Sequence, residues 1–98
     1  MNWEEIKEKY PKALELLEQW GNFPAVLSRQ KNRLLYEFFD ENKILIGIDV
    51  YRDSHDGDIV WFDPEIFGVT NNIGTYHIRT KAEKAAFTKA FEILEKRL

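Results

Sequence analysis

The chain has no cysteine. Disulfides, thiolate chemistry and cysteine-based zinc or iron–sulfur sites are therefore excluded. It has no apolar run approaching the ~20 residues that a membrane helix needs. Its first residues, MNWEEIKEK, are acidic and charged, unlike a secretion signal. Together these absences make the cytoplasm the expected location and a membrane partner an unexpected one. No serine sits in a nucleophile elbow, and no glycine-rich loop is placed to cradle phosphate. Histidine is limited to His55 and His77. These gaps weigh against an enzyme, and no motif implies a cofactor.

What is present is an ordinary globular composition, 44% apolar and 32% charged, over 98 residues. That length makes one domain, residues 1–98, able to bury roughly two-thirds of its unfolded surface. Fourteen residues are aromatic, Trp3, Trp20 and Trp61 among them. So many large rings predict an aromatic-rich core, with some rings left over as a surface patch. The net charge of −3 is uneven. From Glu37 to Glu65 nine acidic residues face only Lys43 and Arg52. That acidic block argues against a nucleic-acid surface in the middle of the chain.

The hydrophobic period changes inside the stretch Leu34 to Tyr51. Leu34, Leu35, Phe38 and Phe39 fall at helical spacing, whereas Ile44, Ile46, Ile48 and Val50 alternate as a strand does. The pattern predicts a helix to about Glu41, capped by Ser28, running into a strand from Ile44 to Arg52. A hairpin around Asp40 to Lys43 is the alternative. Upstream, Asn2 with Glu5 forms an N-cap signature. Trp3, Ile6, Tyr10, Ala13, Leu14, Leu17 and Trp20 make one helical stripe interrupted by Pro11. Two short helices meeting at Pro11 are expected, the second stopped by Gly21.

Downstream, Asp56-Gly57 is a hairpin signal, with a wider loop or a bulge expected. A second strand, Ile59 to Asp63, should end at Pro64. Ile66 to Thr70 and Thr75 to Arg79 flank the turn Asn71 to Gly74. Thr80 with Glu83 reads as a capping box opening a helix from Lys81 to Arg97. On that helix Ala82, Ala86, Phe87, Ala90, Phe91, Ile93, Leu94 and Leu98 fill one half of the wheel. The expected fold is α+β: N-terminal helices, a small antiparallel β-meander of three or four strands, and a C-terminal amphipathic helix packed on the sheet.

Four groups of residues are candidates for function. Asp53, His55, Asp56 and Asp58 form the one dense cluster of potential metal ligands or acid–base groups. As a calcium loop the cluster fails, because Gly57 as the central glycine places Arg52 at the first ligand position and Asp63 at the last. A solvated turn is the plain reading. His77, on the face opposite Tyr76 and Ile78, reads as a half-exposed strand histidine. Arg79, Lys81, Lys84 and Lys89 make a modest basic strip near Tyr76, with interspersed glutamates that weaken it as a phosphate track. Lastly, Trp61 and Phe62 are strand neighbours and leave on opposite faces. Unless the N-terminal helices cover the second face, Tyr51, Trp61, Phe62 and Phe67 include rings that stay exposed, a surface for protein contact.

The chain has the general look of the short proteins common in bacterial and mobile-element genomes, with no motif that assigns it to a family. The expected function is a non-enzymatic binding or accessory module whose partner is another protein or a second copy. The alternative is a small metal-assisted hydrolase or nuclease centred on Asp53 to Asp58. Weak nucleic-acid contact through Lys81, Lys84 and Lys89 is a third, less expected, reading.

Overall fold

In the computed structural model, the described residues are 2–20, 31–52 and 59–98. They form four helices and one two-stranded sheet. In chain order these are α1 (Trp3–Lys9), α2 (Pro11–Gln19), α3 (Lys31–Glu41), β1 (Ile46–Arg52), β2 (Val60–Ile66) and α4 (Arg79–Arg97). The architecture is α+β, with the C-terminal helix packed on the sheet.

Pro11 separates the first two helices as its chemistry requires. It removes a donor and forces Tyr10 out of helical geometry (φ −131°, ψ 56°), then opens α2, where the missing N–H costs nothing. Asn2 caps α1, accepting from the Glu5 amide at 3.1 Å. No side chain of its own caps α2. Glu95, on α4, does so from 82 residues away, accepting the Ala13 amide at 2.8 Å. The Leu34 to Glu41 stretch is helical, so the hairpin alternative falls. Lys43, at φ 62°, then turns the chain toward β1. The Ser28 cap, the Gly21 stop and the Asp56-Gly57 turn lie outside the described residues.

The core is built on α4. Ala82, Ala86 and Ala90 are fully buried and let neighbours approach closely. Phe87 and Phe91 meet Phe39 of α3, and Trp3 of α1 sets its ring edge-on to Phe91 at 6.1 Å. Ile6, Leu14, Leu17, Leu35, Phe38, Ile44 and Ile66 complete one continuous cluster. Leu98, placed on the apolar half by periodicity, is half exposed because the helix ends before it.

Three expectations are corrected, two about the sheet and one about the last helix. First, β2 does not stop at Pro64 but runs through it to Ile66. The pairing Ile46↔Ile66 through Arg52↔Val60 is regular and antiparallel. Second, the sheet has two strands, not three or four. The stretch expected to supply more returns beside β2 only at two isolated bridges, Phe62↔Tyr76 and Ile66↔Thr70. Phe62 and Tyr76 exchange both backbone bonds there, at 2.7 and 2.9 Å. Even-numbered residues of β2 thus point their amides to this edge, and Pro64, midway between the bridges, has none to give. A continuous ladder is blocked at its centre.

Third, α4 starts at Arg79, with Ile78 as an N-cap that makes no side-chain bond, so Thr80 and Glu83 form no capping box. Glu83 instead latches α3 to α4. Its carboxylate accepts the Tyr36 hydroxyl at 2.9 Å and the Asn32 amide at 3.4 Å. The Tyr36 ring lies edge-on to Phe87 at 5.0 Å.

Burial, then the bond to Glu83, pushes the Tyr36 hydroxyl far above its ordinary pKa. Because the folded value lies above the unfolded one, the associated stability is whole below about pH 10 and is lost as the pH climbs through the folded pKa. Denaturant melts of wild type and Tyr36→Phe across this range should show a gap of about 1 kcal/mol at neutral pH. The gap should narrow on the alkaline side. Parallel curves at all pH values would show that the hydroxyl carries no such latch.

Candidate functional site

β-strand parity divides the hairpin into two faces. Even-numbered residues of β1 and β2 turn toward the helices: Pro64 and Ile66 are buried, and Ile46, Ile48 and Phe62 are partly so. The Arg79 guanidinium lies over the Phe62 ring, 5.0 Å from its centroid. Phe62 therefore belongs to the helix side, apart from the other three residues of the predicted contact patch.

Odd-numbered residues form the outer face, on which no described helix packs. The main contacts of α1 and α2 are with each other and with α4. Leu45, Tyr51 and Phe67 stay 49%, 48% and 56% exposed, a level that rules out cover. Trp61 is partly shielded by His77. The bridge between Phe62 and Tyr76 sets these two side by side, with ring centroids 3.9 Å apart. His77 Nδ1 also lies 3.2 Å from the Val60 carbonyl oxygen, so the Nδ1–H form donates to it.

Gly47 gives this face its shape. A side chain there would place its first carbon 2.8 Å from the Phe67 ring, which occupies the space that glycine leaves. The Phe67 amide donates to the Leu45 carbonyl at 2.9 Å and holds the turn against β1. Between the rings stand Asp49, Asp63 and Glu65, none of which has an ion-pair partner among the described residues. Asp49 and Asp63 are directly opposite in the ladder, an arrangement that costs stability when like charges face each other. The outer face is thus aromatic and acidic together.

The remaining candidates fall elsewhere. Asp53, His55, Asp56 and Asp58 lie outside the described residues. Among the described residues no three His, Asp or Glu side chains gather as metal ligands would. Lys81, Lys84 and Lys89 do come together, along the wall of an open groove of about 660 Å³ between α4 and Asn72, Ile73 and Tyr76. Lys89 is partly neutralised by Glu92 at 3.2 Å. The bond from Lys89 and a second from Lys96 hold the Glu92 carboxyl below its usual range. Arg79 is spent on Phe62. Of the other aromatics, Trp3, Trp20 and Tyr36 pack on the core cluster. No described helix is long and apolar enough to cross a membrane.

Comparisons of the chain with protein-family models, with curated proteins and with solved structures find no match. The predicted contact patch lacks Leu45 among the apolar residues of the outer face, and Asp49, Asp63 and Glu65 among the acidic ones. For Leu45 the odd position just ahead of the strand was the available signal. The Trp61–His77 contact needed the register, which periodicity does not supply.

Replacing Gly47 by Ala displaces the far end of an exposed side chain rather than backbone. Stability should change by less than about 1 kcal/mol, while the Phe67 aromatic resonances shift. A cost of several kcal/mol would mean that the strand, not the ring, has to move.

Proposed function

We propose that this chain is a non-enzymatic binding module whose working surface is the outer face of the β-hairpin. Leu45, Tyr51, Trp61 and Phe67 supply the apolar contact. Asp49, Asp63 and Glu65 select a partner surface that is apolar and basic. Arginine suits such a face best, because it stacks on aromatic rings while pairing with carboxylates. The observation that supports this most is the one-sided packing: the helices spend their apolar stripes on one another and on the even face of the sheet, and half-exposed large side chains are left on the other. Surfaces of this composition are where binding energy concentrates in protein interfaces. The metal-assisted alternative centred on Asp53, His55, Asp56 and Asp58 has no observation among the described residues to favour it.

The test uses residues whose side chains are half solvated, so that the fold survives. Tagged wild type, the double variant Tyr51→Lys with Phe67→Lys, and Leu98→Lys as a control would be used to capture proteins from the source cell. The double variant should retain the specific partner at least about tenfold less well, and the control should match wild type. Equal capture by all three chains would reject the outer face as the contact.

A further inference from the structure

The two edges of the sheet are treated differently by the fold. The far edge of β2 is interrupted by Pro64 and closed by the bridges to Thr70 and Tyr76. Among the described residues, nothing protects the other edge of β1 in this way. It runs for seven residues, Ile46 to Arg52, in regular register, with no proline, no lysine and no bulge. Edges that stay solvated in solution are ordinarily blunted by proline, a bulge, clustered charge or a covering segment; here Asp49 and Arg52 are the charges the strand carries.

The direction of the free groups follows from the register. Phe62 spends its backbone bonds on Tyr76, away from β1, and Phe62 is the partner of Val50. Val50 therefore points its own N–H and C=O away from β2, and by parity so do Ile46, Ile48 and Arg52. None of these backbone groups is bonded to a described residue outside the hairpin. Asp49, Val50, Tyr51 and Arg52 are all exposed.

We propose that β1 pairs antiparallel with β1 of a second copy, about a twofold axis at Ile48, to give a four-stranded sheet. The side chains select this register. With Ile48 opposite the partner's Ile48, Val50 lies opposite the partner's Ile46 on the helix side. On the outer face Leu45 lies opposite the partner's Tyr51, and Asp49 opposite the partner's Gly47. Leu45, Val50 and Tyr51, three of the large apolar side chains left half exposed in the single chain, each gain an apolar neighbour. The next register in one direction sets Asp49 against the partner's Asp49, a like-charge pair. The next in the other sets Leu45 against the partner's Asp49. The pairing shares Leu45 and Tyr51 with the outer face but is carried by the backbone edge, so variants at Ile48 and Val50 test it without altering that face. Pairing would nevertheless join the outer faces of two copies into one.

Sedimentation of the full chain over a range of concentrations should show a monomer–dimer equilibrium. Val50→Pro removes an outward amide at a free edge, where proline is tolerated within the chain itself. It should weaken the dimer by about 100-fold, because two backbone bonds are lost and their acceptors left unpaired. Val50→Ala should keep the dimer. As the chain has no native cysteine, single cysteines report the register whether or not the proline variant folds. Ile48→Cys brings two thiols to strands paired at about 5.5 Å between Cα atoms, within disulfide reach. Val50→Cys leaves them four residues out of step. Rapid cross-linking of the first alone supports the pairing. A monomer at every concentration, a dimer indifferent to Val50→Pro, or equal cross-linking of both cysteine variants would overturn it. In each of those cases the outer-face capture experiment remains an independent result.

Discussion

Phe39 meeting Phe87 and Phe91 is the contact on which the rest of the fold depends. Phe39 stacks on Phe87 at 6.3 Å, stands edge-on to Phe91 at 5.0 Å, and touches its own neighbour Phe38 at 5.1 Å. All four rings are buried. Deleting one such ring typically costs about 3–5 kcal/mol, against a total stability of about 5–15 kcal/mol for a domain. Through Phe91 the cluster reaches Trp3 of α1, and through Phe38 it reaches Trp20, whose indole N–H donates to Glu41. The polar latches, Glu83 to Tyr36 and Glu95 to the start of α2, sit around this centre and fix the helices in angle. They are directional where the rings are not.

A core organised on one helix has a geometric consequence. α4 gathers the other three described helices and the even face of the hairpin, and among the described residues no apolar stripe remains to cover the odd face. The hairpin is anchored where β1 begins and β2 ends, at Ile44, Pro64 and Ile66. It loses cover toward Val50 and Tyr51. The outer face and the free β1 edge are therefore products of the same economy: the described residues build one layer of helices, and two strands have one side to hide. The acidic residues of the hairpin keep that surface solvated in the single chain.

Most of the fold was legible in the residues. The stripe from Trp3 to Trp20, the break at Pro11 and the apolar half of α4 all follow from a 3.6-residue period, and the structure realises them. The sheet was less legible, for a specific reason. Pro64 reads locally as a strand terminator, yet on the far edge of β2 its missing amide interrupts only the bonding to the returning segment. The same residue that lets β2 continue prevents a third strand. The Thr80–Glu83 capping box does not form because the helix starts at Arg79 and takes Thr80 into its first turn, and Glu83 bonds Tyr36 instead, 47 residues away, which no local pattern announces. Of the contact residues, Trp61 and Phe62 were separable by parity alone. Which of them faced outward required knowing where α4 lies.

NMR with a soluble paramagnetic agent measures that one-sidedness directly. Side-chain signals of Leu45, Tyr51 and Phe67 should relax strongly in the presence of the agent, while those of Phe38, Phe39, Phe87, Phe91 and Ile66 stay protected and Phe62 falls between. Equal protection of Tyr51, Phe67 and Phe39 would mean that both faces of the hairpin are covered, and it would contradict the arrangement from which the binding surface is argued.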